Sequence, residues 1–118
     1  VWLNGRNAVA LELRAAALRA EGLAAHALPF DITDADARAA AFAGLATLDV
    51  LVNNVGQRDR RPLDAFSAGD VRDLVEVDLL APFELARLAA ARMGAGASIV
   101  NIASIAGPIA NRGDAVYT

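Results

Sequence analysis

The chain has 118 residues, 56% of them hydrophobic and 21% charged, which fits one domain or part of one and excludes a disordered tail or a two-domain enzyme. With no cysteine and a single histidine, His26, it offers no disulfide framework, no thiolate or histidine-cluster metal site and no thiol nucleophile. A net charge of −3 gives no global basic footprint for nucleic acid, and no run of about 18 apolar residues is present to span a membrane.

Short apolar runs alternate with longer amphipathic ones, the pattern of β-α-β units around a parallel sheet. Strands are predicted over residues 1–3, 25–30, 48–52 and 98–102, each ending in polar or small residues. Helices are predicted over 8–21, 35–42 and 68–93. Gly22 suits the C′ position after the first, and Thr33 or Asp34 the N-cap of the second. Ser67 followed by Asp70 resembles a capping box at the start of the third, where Val71, Leu74, Val75 and Leu79 recur at helical spacing on one face. Pro82 is expected to kink or split that helix, and Gly94 and Gly96 to stop it. No secretory leader precedes the Asn4-Gly5-Arg6 turn, so a cytoplasmic setting is expected. A start in mid-strand and an unfinished pattern at Tyr117-Thr118 read as a fragment.

Ligands of open parallel sheets bind beyond the carboxyl ends of the strands. The residues there are Asn4-Gly5-Arg6, Asp31-Ile32, Asn53-Asn54-Val55-Gly56, and Ser104 after Asn101-Ile102-Ala103. Asn and Gly also dominate ordinary turns, so the Asn-Asn pair by itself reads as a turn or as a place where a ligand approaches the backbone. Ser104 alone reads as a cap and Tyr117 as a half-buried apolar plate. Tyr117 lies thirteen residues after Ser104, and a loop beginning at Gly107-Pro108 can return the phenol toward the serine.

Taken together, Asn53-Asn54-Val55-Gly56, the strand Ile99-Val100-Asn101-Ile102 leading to Ser104, and Tyr117 at that interval resemble the short-chain dehydrogenase/reductase family. The resemblance covers nearly the whole chain and implies an α/β, Rossmann-type doubly wound parallel sheet in the order 3-2-1-4-5. Residues 1–118 would be a partial NAD(P)-binding domain, truncated at both ends, lacking the first strand and the C-terminal strands. It also implies roles. Tyr117 matches the general acid/base and Ser104 the residue that hydrogen-bonds the substrate oxygen. Asp78, in Val77-Asp78-Leu79-Leu80-Ala81-Pro82-Phe83, stands where the family has an asparagine that helps anchor a water of the proton relay. Val55 replaces an alanine close to the cofactor, beside Asn54 and Gly56. Asp31 and Ile32 match the pair framing the adenine ring, although Asp31 also suits the turn before Thr33.

A phenol with an unperturbed pKa near ~10 needs a nearby cation to act as a base at neutral pH. In the family that cation is a lysine four residues after the tyrosine, beyond Thr118, and all eleven basic residues here are arginine. The glycine-rich phosphate turn after a first strand is also absent, so the 118 residues alone are expected to be inactive. After the first predicted strand the chain has Arg6 and no acid. This favours NADP(H), whose 2′-phosphate a basic residue accommodates, with NAD as the alternative.

The run Gln57-Arg58-Asp59-Arg60-Arg61 reads either as a solvated loop or as a site for an acidic substrate, since arginine pairs with carboxylate through two hydrogen bonds. Reductases of sugar acids within the family, gluconate 5-dehydrogenases among them, have a similar basic stretch. The expectation is an oxidoreductase moving hydride between NADP(H) and a secondary alcohol or ketone, with a sugar acid or polyol as candidate substrate. By resemblance it would form a homo-oligomer, dimer or tetramer, without nucleic-acid or membrane partners. The alternatives are a non-catalytic dinucleotide-binding protein and a truncated pseudoenzyme scaffold.

Overall fold

The computed structural model describes residues 1–109 and 112–117, and the chain divides into two compact units, Val1–Leu45 and Ala46–Thr118. Each is built on one pair of parallel strands joined through helix.

In the first unit β1 (Trp2–Gly5) pairs with β2 (His26–Pro29) in the register Trp2 to His26 through Gly5 to Pro29. The connection is α1 (Ala8–Ala20), whose N-cap Asn7 accepts the Ala10 N–H at 3.0 Å. Its far end stops as predicted. Gly22 takes φ +85°, the Gly22 N–H donates to the Arg19 carbonyl and the Leu23 N–H to the Leu18 carbonyl, both at 3.0 Å. These two bonds satisfy the last carbonyls of the helix in a Schellman motif. Of the two candidate caps for α2 (Ala35–Ala43), Asp34 is used, accepting the Ala37 N–H at 3.0 Å. Ala15, Ala25, Ile32, Phe42 and Leu45 are buried, with Arg38 among them donating to the Ile32 carbonyl. His26 stacks on Trp2 with ring centroids 4.6 Å apart.

In the second unit β3 (Val50–Asn53) pairs with β4 (Ser98–Asn101), Val50 opposite Ser98 and Asn53 opposite Asn101. Both pairings are those the sheet order implies for second with third and fourth with fifth strands. A 3-10 turn at Leu63–Ala65, not foreseen from sequence, leads to α3 (Ala68–Val75). The capping box is present: the Ser67 N–H donates to Asp70 Oδ2 at 2.8 Å and the Asp70 N–H to Ser67 Oγ at 3.1 Å.

The long predicted helix is divided by a π-helical segment, Glu76–Leu80, before α4 (Ala81–Ala90). Pro82 explains the division. It has no N–H for the Asp78 carbonyl and its ring crowds that carbonyl, so the backbone widens and the Ala81 N–H reaches five residues back to Glu76 O. One extra residue in a turn rotates the downstream helix by about 100°. Of the predicted apolar face, Leu74 is buried and Val71 half-buried, whereas Val75 is exposed and Leu79 is 62% exposed. The core of this unit is Leu74, Ala81, Leu85, Ala89 and Ala106. No described helix is long and apolar enough to cross a membrane.

Candidate active site

The ladder between β3 and β4 runs one bond past the strands, the Ile102 N–H donating to the Asn53 carbonyl at 2.9 Å. Asn53 is only 8% exposed, and its Nδ2 donates to Asn101 Oδ1 at 2.8 Å and to the Pro82 carbonyl at 3.3 Å. The first asparagine of the pair thus ties both strand ends to the start of α4. Asn54, Val55 and Gly56 are exposed, so it is their side that can meet a ligand.

Asp78 closes this turn from the π-helical segment. Its Oδ1 accepts the Gln57 N–H at 2.7 Å, and a Cβ added at Gly56 would lie 3.6 Å from the same oxygen. The acid in the place of the family's asparagine therefore holds the exit of the Asn-Asn-Val-Gly turn, a contact with no signal in the sequence because it joins residues 21 apart.

Ser104 is half-buried three residues beyond β4. Its Oγ accepts the Ala106 N–H at 3.1 Å, and the Gly107 N–H returns to the Ser104 carbonyl at 3.2 Å. A hydroxyl that accepts one such bond keeps its own O–H to donate. Tyr117 is half-buried at the end of a turn in which its N–H donates to the Asp114 carbonyl at 3.0 Å. Among the described residues neither Ser104 nor any other group hydrogen-bonds the Tyr117 hydroxyl, so serine and tyrosine occupy one unit without a hydrogen bond between them.

The basic run is exposed at Gln57, Arg58 and Arg60 and half-buried at Asp59 and Arg61, and its arginines are paired with aspartates. Asp114, fully buried, accepts from Arg58 Nε at 2.9 Å and from Arg58 Nη2, with Arg60 Nε 3.4 Å from the same carboxylate. The Arg58 guanidinium lies 5.4 Å from the centre of the Tyr117 ring. Arg61 pairs with Asp59 at 2.6 Å and Asp70 at 2.9 Å and stacks over Phe66 at 4.4 Å. Only Arg60, with its side chain 65% exposed, keeps most of its donors toward solvent. Arg58 beside Asp114 holds that carboxyl below the usual aspartate range, against the opposing effect of desolvation. Sequence reasoning missed Asp114 altogether. The one available signal was an acid three residues before the candidate tyrosine in a chain rich in arginine.

In the first unit Asp31 adopts the turn role. Its Oδ1 accepts the Thr33 N–H at 2.9 Å and the Thr33 hydroxyl at 2.8 Å, bonds that lower its pKa, while Arg6 Nη1 lies 3.8 Å from Oδ2. Arg6 leaves the end of β1 with its side chain 82% exposed, free to meet an anion, and Ile32 is buried.

The family model for short chain dehydrogenase matches residues 1–118. Gluconate 5-dehydrogenase of Gluconobacter oxydans (strain 621H) is 40% identical over 125 aligned residues, covering 100% of this chain and 48% of that protein. Trans-4-hydroxycyclohexanecarboxylate dehydrogenase of Sinomonas cyclohexanicum is 37% identical over 92 residues, 74% of this chain and 36% of that protein. A solved gluconate 5-dehydrogenase from Burkholderia cenocepacia J2315, in complex with NADP and tartrate, superposes with a TM-score of 0.87 at 34% identity, covering 98% of this chain and 48% of that one. The chain thus spans about half the length, or less, of these relatives.

Proposed function

The chain belongs to the short-chain dehydrogenase family, and from that premise we propose that it is part of an NADP(H)-dependent oxidoreductase interconverting a secondary alcohol and a ketone on a carboxylate-bearing substrate, such as a sugar acid. The Gluconobacter and Sinomonas relatives are both named for hydroxy acids, and the solved Burkholderia one was obtained with NADP and a dicarboxylate. The 118 residues are read as part of one NAD(P)-binding domain of a cytoplasmic homo-oligomer.

The residues present suit the cofactor. Arg6, exposed at a strand end with no acid replacing it, suits a 2′-phosphate, and Asp31 with Ile32 is read by family resemblance as the adenine pair. In the second unit Asn54, Val55 and Gly56 are exposed and are read as cofactor-binding residues. NADP(H), when bound, supplies or accepts the hydride. The chain's own residues handle the proton: Ser104 donates a hydrogen bond to the substrate oxygen, and Tyr117 gives that oxygen a proton in reduction or removes one in oxidation. Asp78 keeps the turn carrying Asn54 to Gly56 in place through Gln57.

The observation that carries this reading is the Tyr117 phenol, half-buried, its hydroxyl bonded to nothing among the described residues, in the same unit as a Ser104 whose O–H is free to donate. In the whole encoded protein Tyr117→Phe should abolish turnover and leave NADP(H) affinity intact. Full activity in that variant would remove Tyr117 from the mechanism and favour the non-catalytic nucleotide-binding reading.

A further inference from the structure

We infer that the ion pair of Arg58 with Asp114 is a positioning device for Tyr117, setting the ring against the stretch that leaves the Asn-Asn-Val-Gly turn. The inference rests on reading Tyr117 as the proton-transfer group.

Two contacts reach the tyrosine, and a third joins the two residues that make them. Asp114 accepts its N–H at 3.0 Å, which closes the turn over residues 114–117. The Asp114 side chain, fully buried, grips Arg58 through Nε at 2.9 Å and through Nη2. The guanidinium so held lies 5.4 Å from the ring centre, within the ~6 Å range over which a cation is attracted to an aromatic ring. A carboxylate bridging two nitrogens of one guanidinium fixes the plane of that group as well as its position. The plane in turn limits where the Tyr117 ring can settle. The other end of the link is also anchored, because the preceding residue, Gln57, donates its N–H to Asp78 Oδ1 at 2.7 Å. A chain of directed contacts therefore runs from the π-helical segment through Gln57 and Arg58 to Asp114 and Tyr117, joining residues 56 apart along the sequence.

An ion pair with one partner buried and the other partly exposed contributes little net stability, because desolvation of the carboxylate offsets much of the attraction, and such a pair can serve instead to fix one geometry. Proton transfer demands such a geometry. Displacing a reacting group by about 1 Å can cost ~100-fold in rate. Arg58 does not have to touch substrate to matter: it acts through the ring.

The test uses the whole encoded protein labelled with carbon-13 in its tyrosine rings, the Tyr117 resonance being assigned by its loss in Tyr117→Phe. Arg58→Ala leaves a buried carboxylate with one partner fewer and risks unfolding. The working variants are therefore Arg58→Lys, which keeps the charge without the fork, and the double variant Arg58→Gln with Asp114→Asn, which keeps hydrogen bonding without charge. Folding is checked by melting temperature. In the folded double variant the Tyr117 ring resonance should shift or broaden. In parallel, kcat should fall by about 10-fold or more with the KM for NADP(H) unchanged, and Arg58→Lys should recover part of it. An unmoved resonance in the folded double variant overturns the inference, as does an equal loss in Arg58→Lys and the double variant. If Tyr117→Phe stays active while the resonance moves, the positioning stands and the catalytic reading of Tyr117 fails.

Discussion

Asn53 and Asn101 face each other at the carboxyl ends of β3 and β4, and the amide of the first donates to the side-chain oxygen of the second at 2.8 Å. The same Nδ2 reaches the Pro82 carbonyl at 3.3 Å. One buried donor group thereby links two strands to a helix start, at the place from which both the Asn54-Val55-Gly56 turn and the Ser104 loop depart.

This arrangement predicts different costs for two substitutions. Asn53→Ala removes two hydrogen bonds and leaves their acceptors to water, which should destabilise by about 1–3 kcal/mol. Asn53→Asp removes a donor and places an oxygen against two acceptors, and should lower the melting temperature further. Equal melting temperatures for the two variants would show that the donor pair does not hold the strand ends.

Cofactor choice should depend on Arg6. Its pair with Asp31, at 3.8 Å and exposed, contributes little to stability, so Arg6→Ala should leave the stability within about 1 kcal/mol of the parent. If Arg6 reads the 2′-phosphate, its loss removes a charge-assisted contact worth roughly 1.5–3 kcal/mol and should cut the ratio of kcat/KM for NADPH over NADH by about 10-fold or more. An unchanged ratio would show that Arg6 does not read the phosphate.

Among the loop arginines, Arg60 and Arg61 should separate. Arg60→Ala should raise KM for sugar acids far more than for neutral ketones, with the difference shrinking as salt is added, because most of its donors face solvent. Arg61→Ala should chiefly loosen the contacts with Asp59, Asp70 and Phe66, and register as a lower melting temperature with KM little changed. Equal KM changes for charged and neutral substrates in Arg60→Ala would rule out carboxylate recognition there.

Acid should destabilise the chain through its paired aspartates. The Ser67 hydroxyl, the Arg61 guanidinium and the Ser67 N–H hold Asp70 well below the ordinary carboxylate range. A carboxyl whose pKa is lower folded than unfolded stabilises the fold fully above its unfolded value, near ~3.9, and loses that contribution as pH falls through the folded value. Asp31 and Asp114 shift in the same direction. The melting temperature should therefore stay level from about pH 7 to 5 and fall below about pH 4. Asp70→Asn should start lower at neutral pH and show a shallower acid limb. An acid limb as steep as the parent's would show that Asp70 contributes nothing to it.

Local chemistry was enough to determine the helix ends, since a cap or a stop depends on residues a few positions apart: Gly22 after α1, Asp34 before α2 and Ser67 with Asp70 before α3. The alternation of strand and helix and the parallel pairing were legible for a similar reason, being carried by periodicity. Pro82 announced a break in the long helix, but only the folded backbone decided that the break is a π-helical turn over Glu76–Leu80. The destination of each charge also belonged to the tertiary structure alone. Asp78 pins Gln57, and Asp114 pairs with Arg58 and Arg60 while Arg60 stays largely exposed, because an ion pair forms with whichever partner the fold brings near, and a separation of 56 positions leaves no local trace of that choice.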